Sequence, residues 1–147
     1  MEYVSPYIVA AALGWIIAQC TKYVIASVKH GKLASYRQLY LSGRMPSAHS
    51  ATTVALLITI AAFDGVDSAV FGLAFLFTLV VLYDAMMVRR SSGEQGVALS
   101  AFMKEQKSKV SYPRVAMGHT PMEVAVGSLL GLVVGLAVVT SYNIFIL

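Results

Sequence analysis

The sequence predicts an all-α polytopic membrane protein, a four-transmembrane-helix bundle with a short interfacial helix, as one domain over residues 1–147. Three observations lead there. The chain is 58% hydrophobic and only 12% charged, whereas a soluble domain carries about 25% charged residues. Its apolar residues gather into four blocks of membrane-crossing scale. Finally, all 11 Lys and Arg residues fall on one side of the topology those blocks imply.

The first block covers residues 3–28, YVSPYIVAAALGWIIAQCTKYVIASV. Ser5-Pro6 suits a helix start, because the missing N–H of proline costs nothing in a first turn. A span needs about 20 apolar residues at 1.5 Å of rise each, and this block exceeds that. It is too long for a signal-peptide core and lacks a basic leader, so it reads as a retained span. Its one charge, Lys22, sits near the C-terminal end.

The second block, residues 47–63, is about 25 Å long as a helix. One of its ends should therefore lie below the lipid surface, within protein or a wet cavity. The third, residues 67–88, carries Asp84 near its end and Arg89-Arg90 just after it. The fourth, residues 121–147, opens on TPME: Thr120 is a candidate N-cap, Pro121 the first helical residue and Glu123 the capping-box carboxylate. Gly127, Gly131 and Gly135 then recur every four residues, a small-residue stripe for close helix packing within the bundle or across a homodimer.

The connection over residues 29–45 reads as interfacial, with Tyr and Leu facing lipid. The connection over residues 89–119 holds one short amphipathic helix, expected over 96–109, and Gly118 lets the chain turn into the last span. A lone Cys20 excludes an intramolecular disulfide.

With four spans, the first-to-second and third-to-fourth connections share a side. Every Lys and Arg lies at that side, against Glu2, Asp64 and Asp67 on the other. Setting aside Lys22, Arg89 and Arg90 as site residues leaves the imbalance intact. The positive-inside rule then places both termini outside the cell and the basic loops in the cytoplasm of an integral cell membrane protein. The same topology gathers Lys22, His49, Asp84, Arg89, Arg90, His119 and Glu123 at one membrane depth, drawn from all four spans. Ionisable residues there are expensive and mark function.

That set describes an anion site. Helix N-termini present free N–H groups and a positive dipole end. Arg binds phosphate oxygens bidentately, and Lys adds a point charge. Two histidines add chemistry: one to attack phosphorus, one to protonate a departing alkoxide. Two His and a carboxylate could hold zinc, but the surrounding cations oppose it, so no metal or cofactor is expected.

Here the residues resemble a family. MPSAHS and GHTPMEVAVGSLLG are similar to motifs of the phosphatidic acid phosphatase type 2 superfamily, which includes the vanadium haloperoxidases. That superfamily carries K-x6-R-P, then P-S-G-H, then S-R-x5-H-x3-D. The match is closer to its short divergent membrane branch, which shows MPSSHSA, a YDA…VRR…G.Q stretch and GHTP.EV..G..LG. The resemblance implies that His119 is the nucleophile and forms a phosphohistidine, with Glu123 orienting its ring. It implies that His49 protonates the leaving group, that Ser47 donates to a phosphate oxygen, and that Lys22 is the first-motif lysine. The third-motif arginine is supplied by Arg89 or Arg90, or by Arg114, which lies one residue short of the family spacing; Arg89 and Arg90 are preferred. Asp84 is read from its own setting, as a positioning carboxylate that needs a cation, either Lys22 or an arginine.

The chain departs from the family pattern in several places. Glu123 stands for Asp, Ala48 for Gly, and Lys29 occupies the place of Arg-Pro. Four spans replace the usual six, and the charge count faces the site to the cytoplasm where those relatives face away. Plainer readings also exist: Glu123 as a cap only, Lys22 snorkelling to the headgroups, and Arg89-Arg90 as an orientation signal. Arg44, Lys104, Lys107 and Lys109 read as a surface facing anionic lipid.

The expectation is a hydrolase: a metal-independent membrane lipid phosphate phosphatase, with the lipid phosphate and the membrane as partners and no nucleic acid. The alternative is a non-catalytic anionic-lipid headgroup binder or a small transporter component. Peroxidase chemistry suits neither the size nor the embedding of the chain.

Overall fold

The computed structural model describes residues 4–30, 45–113, 115 and 117–146. Its elements are α1 (Pro6–His30), α2 (Ala48–Phe63), α3 (Ala69–Tyr83), a π turn (Asp84–Val88), α4 (Arg89–Glu105) and α5 (Pro121–Ile146). Three helical runs are long and apolar enough to cross a membrane: Pro6–Lys29, Ala69–Glu105 and Pro121–Ile144. α2 is apolar but shorter, with 16 residues and a length of ~24 Å. Three helices of spanning length and one shorter helix thus stand where four spans were expected.

α2 is the centre of the bundle and packs against α1, α3 and α5. Against α5 and α1 it does so because small residues let the backbones approach. On α5, a Cβ added at Gly127 would lie 2.5 Å from the Ser47 carbonyl, one at Gly131 would strike the Ala51 carbonyl, and one at Gly135 would lie 2.9 Å from the Ala55 carbonyl. The register Ser47–Gly127, Ala51–Gly131, Ala55–Gly135 advances four residues at a time on both helices, so α2 and α5 run parallel. The glycine stripe is therefore filled by α2 of the same chain, the first of the two roles expected for it.

α1 brings a matching stripe. Ala10, Ala18 and Ala26 are buried, and a Cβ on Gly14 would lie 3.0 Å from the Ala51 carbonyl. The core is accordingly built from Ala10, Ala18, Ala48, Ala51, Ala55, Val134 and Val138, while large residues such as Leu73 and Phe77 face outward. Close backbone approach and dispersion hold membrane helices together, since lipid tails are as apolar as leucine.

At the end opposite the basic residues, α2 turns into α3 through Gly65, at φ 83°. Ser68 caps α3: its Oγ accepts the Phe71 N–H at 3.1 Å and donates to the Gly65 carbonyl at 2.8 Å. At the basic end, α3 does not stop. It runs through the π turn into α4, so the short helix expected over 96–109 is instead Arg89–Glu105. The sequence between Val88 and Gly96 contains no proline, and charge alone does not break a helix. The whole run of 37 residues is ~55 Å long, some 25 Å more than the ~30 Å hydrocarbon core, so α4 extends beyond the bilayer core. The interfacial segment expected over 29–45 falls largely outside the described residues.

Candidate active site

The site forms where the N-termini of the parallel helices α2 and α5 lie side by side. The Ser47 N–H donates to the Glu123 carbonyl at 3.1 Å, an approach that Gly127 permits by lacking a side chain. His49, in the first turn of α2, and His119, two residues before α5, are thereby brought to the same end of the bundle. The charges acting on the His49 ring are those of Arg89, His119, Lys22 and Asp84. Four separated stretches of sequence thus converge.

His119 is the best defined member. It is buried, with 4% exposure, and its Nδ1 lies 3.2 Å from Glu123 Oε2. An ionised carboxylate only accepts, so Nδ1 carries the proton and Nε2 keeps a free lone pair. The same Oε2 accepts the Thr120 N–H at 2.9 Å, and Thr120 Oγ1 accepts the Glu123 N–H at 3.3 Å. This is the reciprocal capping box expected from TPME. Glu123 is therefore both helix cap and imidazole orienter; the two readings coexist on one oxygen. Burial pushes His119 below its ordinary pKa, the Glu123 hydrogen bond and charge pull it up, and Lys22 and Arg89 add to the downward push.

The backbone of His119 is fixed as well. Its N–H donates to the Ala85 carbonyl at 2.9 Å, and a Cβ on Gly118 would strike the backbone of Arg89 and Arg90. Gly118 therefore serves close approach as well as turning: only a glycine lets this strand lie against the π turn. Widened turns of this kind recur at functional sites. The i→i+5 repeat also brings Asp84 and Arg89 to one face, and Asp84 Oδ2 pairs with Arg89 Nε at 2.5 Å. The cation that Asp84 needs is thus Arg89. Sequence reasoning missed the π turn, because five-residue separation is not a pairing distance on an ordinary helix.

The two arginines diverge. Arg90 pairs along α4 with Glu94, Nε to Oε1 3.2 Å, whereas the Arg89 charge acts on both histidines. Arg114 lies outside the described residues. Lys22 is buried on the packed face of α1, with 6% exposure, and it and Glu123 act on each other electrostatically. Its position was legible in the sequence: Ala10, Gly14, Ala18, Lys22 and Ala26 repeat every four residues, which puts the lysine on the stripe that faces the bundle. One turn earlier, Gln19 Oε1 is buried and has no hydrogen-bond partner among the described residues, an acceptor that sequence reasoning did not single out.

Ser47 stands at the N-cap of α2. It has no exposed surface, and its Oγ accepts both the Ser50 N–H at 3.3 Å and the Ser50 hydroxyl at 2.8 Å. These bonds make it the cap of α2, two residues before His49.

Fold and site together define a helical membrane protein with a cationic, two-imidazole centre at one end of its bundle. The chain belongs to the divergent PAP2 family, whose model matches residues 4–134. It is 31% identical over 152 aligned positions to the uncharacterized membrane protein YuiD of Bacillus subtilis (strain 168), covering 92% of this chain and 96% of that one. No solved structure matches it.

Proposed function

We propose that the protein is a metal-independent phosphomonoesterase acting on a membrane lipid phosphate, with its site at the cytoplasmic face. The observation that carries this reading is the His119–Glu123 pair, which leaves Nε2 as a neutral nucleophile beside His49, Lys22 and Arg89. His119 Nε2 attacks phosphorus in line, forming the P–N bond as the P–O bond to the lipid breaks. His49, protonated, gives its proton to the departing alkoxide. It then takes one from water, whose oxygen attacks phosphorus and breaks the P–N bond, releasing inorganic phosphate. Glu123 holds the Nδ1 proton throughout. Lys22 and Arg89 stabilise charge on the equatorial oxygens, and Asp84 holds Arg89 in place.

The test is phosphate release from a panel of lipid phosphates by purified protein in detergent containing EDTA. Turnover should vanish in His119→Ala and fall by about 10²–10⁴-fold in His49→Ala. Headgroup binding with no release on any lipid would instead make this a binder.

A further inference from the structure

We infer that the groove between α1 and α5 seats one lipid tail longer than a leaflet, which makes the substrate the phosphate ester of a single very long hydrocarbon chain, polyisoprenoid in class. The inference rests on the phosphatase reading and adds the tail. The groove holds about 340 Å³ and is lined by Leu13, Ile17, Leu130, Val134, Ala137 and Tyr142 among others, almost all apolar. Its walls are the two helices that present Lys22 and, at the head of α5, Glu123 beside His119.

Depth decides the class of tail. Along α5, Leu130 lies ~10 Å and Tyr142 ~28 Å beyond Glu123. Half of the hydrocarbon core is ~15 Å, so most of the groove belongs to the opposite half of the bilayer. A diacyl tail matched to one leaflet reaches only its near end. The far end is closed: Tyr142 donates its hydroxyl to the Val4 carbonyl at 2.6 Å and packs edge-on against Phe63, centroids 6.4 Å apart, which in turn meets Tyr7 at 6.3 Å. One groove with one closed end fits one chain.

The full-length protein in nanodiscs would be assayed on farnesyl phosphate, dioleoyl phosphatidate and a long-chain polyprenyl phosphate. The long chain should show a KM about tenfold below the other two, a difference in uniform binding. Ala137→Trp, at a lipid-exposed position that tolerates bulk, should raise KM for the long chain about tenfold more than for farnesyl phosphate, and Val133→Phe should do the same. A second readout needs no turnover: a polyprenyl phosphate with a terminal diazirine should label the peptide holding residues 130–142, and Lys22→Ala should weaken that labelling. Equal labelling by phosphate-free polyprenol, or phosphatidate and long chain hydrolysed alike with Ala137→Trp neutral, overturns the groove. Absence of hydrolysis on all three lipids overturns the phosphatase reading, while the labelling still decides the groove.

Discussion

At the scale of single residues, the His119–Glu123 pair sets the expected pH response. Burial lowers the His119 pKa, so the ring is neutral and nucleophilic at neutral pH and loses its lone pair only in acid. The acid limb of kcat/KM should therefore have its midpoint below the ordinary imidazole value. Glu123→Gln removes a carboxylate that pulls the pKa up, so the midpoint should move to still lower pH while the plateau falls by about 10²-fold. A pH–rate profile of both proteins on a lipid phosphate reads this, and a midpoint moving upward in Glu123→Gln would refute the assignment. Linkage has the same sign: a depressed folded-state pKa means the His119 contribution to stability is whole above the ordinary imidazole value and is lost as pH falls through the folded-state value. His119, Thr120 and Glu123 were legible in the sequence, because their spacing is the geometry of one helical first turn. Ser47 was legible as a motif member, but its burial was not, since that depends on Gly127 of another helix lying against it.

At the scale of elements, the least legible feature is the π turn. Nothing in DAMMV announces it, and the double arginine after it looks like the end of a span. Its consequences are large: it pairs Asp84 with Arg89 and presents the Ala85 carbonyl to His119. Gly118 completes the joint, because a side chain there would run into the Arg89–Arg90 backbone. Gly118→Ala is therefore expected to displace His119. Forced backbone shifts cost about 1–3 kcal/mol, which a thermal-unfolding assay in detergent would register. Turnover should drop by far more than that loss of stability accounts for, roughly 10²-fold, because misplacing a reacting group by an ångström is that costly. Wild-type turnover in a stable Gly118→Ala protein would show that the close approach does not position the nucleophile.

At the scale of the whole molecule, the glycine stripe and the charge distribution carry separate consequences. The stripe was legible as packing, but its partner was not, because spacing on one helix does not say which neighbour fills it. The structure gives that role to α2, whose Ala51 backbone leaves no room at Gly131, so Gly131→Ala should destabilise the bundle by about 1–3 kcal/mol and loosen the site at its end. The charge distribution speaks to sidedness. Among the described residues, the Lys and Arg side chains belong to the helix ends and connections on the side of the histidines, and Asp64 and Asp67 lie at the other end. The positive-inside rule predicts from this a site that faces the cytoplasm. Ser92 on α4 and Asp67 before α3 are both exposed, and Cys20 is the sole native thiol. In a Cys20→Ser background, an impermeant maleimide applied to intact cells should label Asp67→Cys and spare Ser92→Cys until the membrane is opened. The reverse pattern would move the chemistry to the outer face. It would leave the His119–Glu123 pair unaltered, since that geometry is internal to the bundle, but the lipid phosphate would then have to be one presented to the outer leaflet.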